Sequence, residues 1–147
     1  MSHASKITSF TGKYEFLSNF APHSVDYEGL TYPTSEHAFQ AAKTVDPVER
    51  ERIRNLPSPG QAKRVGRQIK LRSDWDGMRI DVMRSILRAK FSSGLQDKLL
   101  ETGEAELVEG NDWGDGFWGK VNDVGENWLG KVLMEVRAEH RAKREDE

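Results

Sequence analysis

Apolar positions recur at two spacings along the chain. Between Asp74 and about Ser92, Ile80, Met83, Leu87 and Phe91 repeat every three to four residues, the stripe of a helix with one buried face, with Ser73 as its cap. Leu129, Leu133 and Val136 repeat the pattern in a final helix from about Asn127, whose charged continuation after Arg137 should fray. Val25–Tyr27 and Leu30–Tyr32 flank Glu28-Gly29 and read as a hairpin, while Ile7–Phe10 and Glu106–Glu109 are short strand candidates. Asp46-Pro47 and Ser58-Pro59 each pair a capping side chain with a proline suited to the first helical position. The first of these helices must end before Pro57, and a short one, Leu95–Glu101, is closed by Thr102-Gly103.

The stretch Tyr32–Lys43 stands apart. Thr34 caps a helix predicted over residues 34–44, and Glu36 sits in its first turn, where the helix dipole favours a carboxylate. Glu36, Gln40 and Lys43 share one face and Ala38, Ala41 and Ala42 the opposite one, where small residues let a neighbour approach. Such a face lines a site or forms a solvated salt-bridge stripe, and the window alone leaves both open. Lys63, Arg67 and Lys70, predicted on one face of the helix after Ser58, are likewise a phosphate contact or a solvated face.

Two aromatic-rich segments resist periodic assignment. Tyr14–Pro22 sets three aromatics around Ser18 and Asn19 and reads as a loop or broken turn in which Asn19 bonds locally or to a ligand. Residues 110–130 are rich in Gly, Trp, Asp and Asn, which fits either a ligand loop or a self-packed one. Trp75, between Asp74 and Asp76, is either an apolar lid over a helix end or a platform for a base.

Composition narrows the chemistry. With 147 residues, four Trp and six Phe, the chain supports one domain over residues 1–147, with a loose N-terminus (residues 1–6) and a charged C-terminal tail. It has no Cys, hence no thiolate nucleophile or disulfide. His3, His23, His37 and His140 lack metal-ligand spacing, so no metal or cofactor is expected. No phosphate loop, dinucleotide fingerprint or nucleophile elbow appears. A net charge of -2 confines any nucleic-acid contact to a local patch, and no apolar run suggests a membrane span or signal segment, so cytoplasm is the expected compartment. What remains is carboxylates, lysine, Asn and Trp, the parts of a glycosidase or a Schiff-base enzyme.

Four segments, in order and spanning nearly the whole chain, resemble the NADAR, or YbiA-like, family: Phe16-Leu17-Ser18-Asn19-Phe20, Ser35–Lys43, Phe117-Trp118-Gly119 after Asp115, and Gly125–Arg137. Each is weak alone; the ordered set is specific. Ala38 departs from a Tyr common among relatives and lies on the small face, where packing rather than chemistry should differ. The resemblance implies a mainly helical α+β domain that cleaves N-glycosidic bonds of ribosylated compounds: ADP-ribose on guanine in nucleic acid or nucleotides, or ribosylamino intermediates of riboflavin synthesis. It implies catalytic roles for Glu36 and Lys43, with Asp115 and Asn19 supporting, and ligand stacking for Trp75 and Trp118. Gln40 and Asn127 are further substrate-binding candidates. A non-catalytic module binding ADP-ribose or NAD is the alternative from another class; it would have no use for the Lys43 amine.

Overall fold

In the computed structural model, which describes residues 5–92 and 94–146, the chain divides into two units: residues 19–90, and residues 1–18 with 91–147. The loose-terminus expectation for residues 1–4, and His3 with it, lies outside the described residues.

The 19–90 unit opens with a hairpin, β2 (Val25–Tyr27) and β3 (Leu30–Tyr32), β1 being the short strand of the other unit. Its antiparallel register pairs Val25 with Tyr32, Asp26 with Thr31 and Tyr27 with Leu30. Glu28 and Gly29 both take positive φ (47° and 87°), as a two-residue turn of right-handed strand twist requires. Helix α1 (Ser35–Ala41) follows, capped by Thr34. All seven of its residues are buried, because α2 (Pro47–Arg54), α3 (Pro59–Gly66), α4 (Trp75–Lys90) and the hairpin all pack on it. Asp46 and Ser58 cap α2 and α3 as their sequences foretell, each followed by proline. The buried stripe of α4 is Val82, Met83, Ile86, Leu87 and Lys90; Ile80, expected on it, is only half-buried.

In the other unit β1 (Lys6–Ile7) pairs in parallel with β4 (Glu106–Leu107), a shorter pair than the two candidate runs suggested. Residues Gly12–Leu17, overlapping the stretch read as a loop or broken turn, form a 3-10 turn that buries Phe16 and Leu17; the Phe16 ring meets Phe91 edge-on at 6.4 Å. Helix α5 (Gln96–Glu101) ends through Thr102 and Gly103, whose φ of +64° is the left-handed stop the glycine permits. Helix α6 runs from Trp128 to Glu145, past the expected fraying point at Arg137. The tail holds because Arg141 donates to the Gly103 carbonyl (2.6 Å) and Arg144 pairs with Asp97 of α5. Gly130 lets α6 close on β4: a Cβ there would strike the Leu107 carbonyl. Among the described residues no helix is long and apolar enough to cross a membrane.

Candidate active site

Helix α1 has fewer than two turns of its own hydrogen bonds, too few to stand alone in water. Its position is set from outside. The Asn19 carbonyl accepts the Glu36 N–H (3.0 Å), and the Asn19 Oδ1 accepts the Ser35 hydroxyl (2.9 Å). The Asn19 amide nitrogen reaches Met83 Sδ at 3.6 Å, tying this brace to α4. Thr34 Oγ1 accepts the His37 N–H (3.1 Å) and its hydroxyl meets His37 Nδ1 at 2.8 Å. His37 Nε2 lies 3.0 Å from the Leu56 carbonyl, which only accepts, so Nε2 carries the proton and Nδ1 is the acceptor. Burial lowers the pKa of His37, consistent with this neutral form, and both ring nitrogens are engaged.

On this braced helix Glu36 is 8% exposed and Gln40 4%, which excludes the solvated-stripe reading of that face. Gln40, one turn on, donates from Nε2 to Glu36 Oε2 at 2.5 Å, a short charge-assisted bond. Lys43 follows the helix end half-buried, its Nζ 5.9 Å from the centre of the Phe39 ring. Its pKa is lowered chiefly by burial; Glu36 opposes the shift, and Arg67 and Lys63 add to it. Lys43 makes no ion pair within 4 Å among the described residues. The backbone beneath it is fixed, since its carbonyl accepts from the Arg72 N–H at 2.8 Å.

Trp75 opens α4, is 5% exposed and packs on Phe39 with ring centres 5.2 Å apart. It therefore covers the start of α4 from within the core. The Lys63, Arg67 and Lys70 stripe does not form, because α3 stops at Gly66: Arg67 is its C-cap and Lys70 lies beyond it. Lys63 and Arg67 act on Lys43, whereas Lys70 lines, with Arg52 and Arg72, a separate groove of about 880 Å³.

Asp115, Trp118 and Asn127 belong to the other unit. Asp115 Oδ1 accepts the N–H groups of Phe117 (3.1 Å) and Trp118 (2.9 Å). Asn111 grips the Asp115 backbone at both ends, through bonds of 3.0 and 2.9 Å. The Phe117 and Trp118 carbonyls then receive the Trp128 and Leu129 N–H groups (3.0 and 2.9 Å), so the loop caps α6 with backbone. Asn127, 3% exposed with φ +56°, accepts from the Glu109 N–H (3.0 Å) and donates to the Leu107 carbonyl (2.9 Å). Its amide is thus committed to backbone on both sides. Half-buried Trp118 meets Phe117 edge-on at 4.9 Å.

Sequence reasoning passed over Ser35, Phe39 and Gly66. Ser35 is legible as a small hydroxyl in the first turn, but its Asn19 partner is sixteen residues away. Phe39 carries a helix-period signal that reads only as core. Among the described residues no cluster of three or more His, Cys, Asp or Glu side chains is placed to hold a metal ion.

The family model of the NADAR domain matches residues 3–141. The N-glycosidase YbiA of Escherichia coli is 44% identical over 137 residues, covering 88% of this chain and 83% of the relative. An N-glycosidase of Nostoc punctiforme is 38% identical (87% of this chain, 86% of the relative). A riboflavin biosynthesis protein of Vibrio vulnificus is 41% identical, covering 84% of this chain but 35% of the relative. The solution structure of E. coli YbiA superposes with a TM-score of 0.87 at 38% identity, over 99% of this chain and 91% of that one.

Proposed function

The chain belongs to the NADAR family, and from that premise we propose that it is an N-glycosidase that hydrolyses the C1′–N bond of a ribosylated compound, with ADP-ribosylated guanine as its substrate. The observation that carries this reading is the buried face of α1. It holds a carboxylate, Glu36, out of water, and a half-buried amine, Lys43, follows just past the helix end.

Breaking a C1′–N bond builds positive charge on the ribose ring, and a carboxylate held out of water is well placed to stabilise it. Lys43, its proton affinity reduced by burial, serves as the nucleophilic amine. The amine attacks C1′ as the bond to the base breaks and the base nitrogen takes up a proton. Glu36 accepts the proton the amine sheds and passes it on as the one the base nitrogen takes up. Ring opening gives an imine on Nζ, which water hydrolyses to the free amine and the sugar aldehyde. Asn19 acts through the backbone of Glu36.

Riboflavin-pathway ribosylamino intermediates are the second reading, favoured by the printed name of the Vibrio relative. Incubating the protein separately with ADP-ribosylated guanine DNA and with such an intermediate, and weighing the products, separates the two. Free ADP-ribose with restored guanine is the expected result. Cleavage of the second substrate alone moves the assignment to it, and binding of ADP-ribose without turnover of either makes the protein a reader.

A further inference from the structure

Gln40 is a costly residue to place where it stands. It is 4% exposed, its Nε2 is spent on Glu36, and its Oε1 is sealed from solvent with no hydrogen-bond partner. An orphaned buried acceptor destabilises a fold, and a methionine of similar shape would fill the space without that cost. The amide cannot turn over to relieve it. Glu36 Oε2, as a carboxylate oxygen, only accepts, so the nitrogen must face it and the oxygen must face away.

What lies on the far side is Gly66 of α3. A Cβ added there would come 2.7 Å from Gln40 Cδ and 3.1 Å from its Cβ, and nearer still to Oε1. The end of a flexible side chain can usually move aside. Here it is enclosed between two packed helices, and moving would break the bond to Glu36. Glycine is a poorer helix former than alanine. Its presence is explained by the room it leaves for the Gln40 amide.

We propose that Gln40 is a positioning residue, held by the glycine notch of α3, that fixes the Glu36 carboxylate in its working orientation and does not itself bind substrate. This rests on the N-glycosidase reading of the α1 face for its catalytic consequence, but not for the coupling of the two side chains. The bond to Gln40 also occupies Oε2, an oxygen that could otherwise take the Lys43 ammonium into an ion pair and hold it protonated.

Two double-mutant cycles test it. On turnover, Gln40→Met should lower kcat about 10- to 100-fold with KM within about two-fold, the scale of a misplaced catalytic group. In the Glu36→Gln background the same change should lower the residual rate no further, because Gln40 acts only through the carboxylate. Gly66→Ala should reproduce the kcat loss from across the helix interface. On stability, Gln40→Met and Glu36→Met should each lower the urea midpoint, and the double variant should recover part of the loss, since both polar partners are then gone. A KM rise above about ten-fold with kcat unchanged would overturn the proposal, as would additive losses in either cycle. If no ribosylated substrate is turned over, the functional reading fails by itself, and the stability cycle still decides whether Gln40 and Glu36 are coupled.

Discussion

Replacing Lys90 by methionine should remove a pH dependence from the unfolding of the protein. Lys90 occupies the last position of the α4 core stripe, eight residues after Val82, and is 3% exposed. Burial lowers its pKa to about 7, against about 10.4 for lysine in an unfolded chain. Between those values the unfolded chain holds a proton that the folded one does not, so folding stability rises with pH across this window by about 1.4 kcal/mol per unit. Below pH 7 both states are protonated and the full cost of the buried ammonium is present, on the order of 4 kcal/mol. Methionine keeps the length and flexibility of the stem without the charge. Urea unfolding of both proteins at unit steps from pH 6 to 10 should give a stability of the methionine variant relative to the parent that is highest at pH 6 and falls toward pH 10. Burial raises the pKa of Tyr27 and Tyr32; their contribution is present below pH 10, is lost above it, and cancels in the difference. A difference between the two proteins that does not change with pH would refute the account of Lys90 as a desolvated amine.

The other expectations bear on the α1 face and the Trp-rich loop. Lys43→Arg should abolish turnover while leaving ADP-ribose binding intact, and borohydride during wild-type turnover should leave a sugar adduct on Lys43 found by peptide mass; an active Arg variant together with an unmodified wild type excludes the imine. Trp75→Ala should cost about 3–5 kcal/mol in denaturant unfolding, as for any core tryptophan, and a loss under 1 kcal/mol contradicts its burial. Trp118→Ala, in a protein shown to be folded, should weaken ADP-ribose in calorimetric titration by ~1–3 kcal/mol if the ring stacks the ligand, and unchanged affinity removes that role. Asn127→Ala should destabilise by roughly 1–3 kcal/mol through the two backbone partners it orphans, without changing ADP-ribose affinity; an affinity loss at unchanged stability would make it a ligand contact.

Local signals carried the sequence reading where the physics is local. Asp46-Pro47, Ser58-Pro59 and Glu28-Gly29 state their caps and turn within two residues, and each element begins or turns where they say. Failures occur where a distant contact decides. Helix α6 continues to Glu145 because Arg141 and Arg144 find partners some forty residues upstream, which a run of charges does not announce. Its N-terminus has no side-chain cap to read, since carbonyls of the Trp-rich loop do that work. Lys90 escaped the α4 stripe because a lysine scores as polar whatever its spacing. The cationic stripe after Ser58 presumed that α3 continues, and it ends at the glycine that accommodates Gln40. Glu36 and Lys43 could be named from the sequence, but their burial could not, because the neighbours of α1 supply it.

That burial is also what separates a reactive face from a merely polar one. Each polar side chain of α1 other than Gln40 is answered by a particular group: Ser35 by Asn19, Glu36 by Gln40, His37 by Thr34 and the Leu56 carbonyl. The partners are placed by packed neighbours, so these side chains cannot rearrange cheaply. Two groups break the pattern. Gln40 Oε1 is sealed against α3 and unreachable. The Lys43 amine, half-buried with its charge disfavoured, stands outside the network just past the helix end. Direct pairing with Glu36 would raise its proton affinity and oppose the nucleophilic role proposed for it. Gln40 engages that carboxylate, and acid and amine lie close enough to influence each other. A helix meant only for packing would gain stability by closing that pair or by replacing both residues with apolar ones. Keeping them apart fits the chemistry proposed for the two side chains.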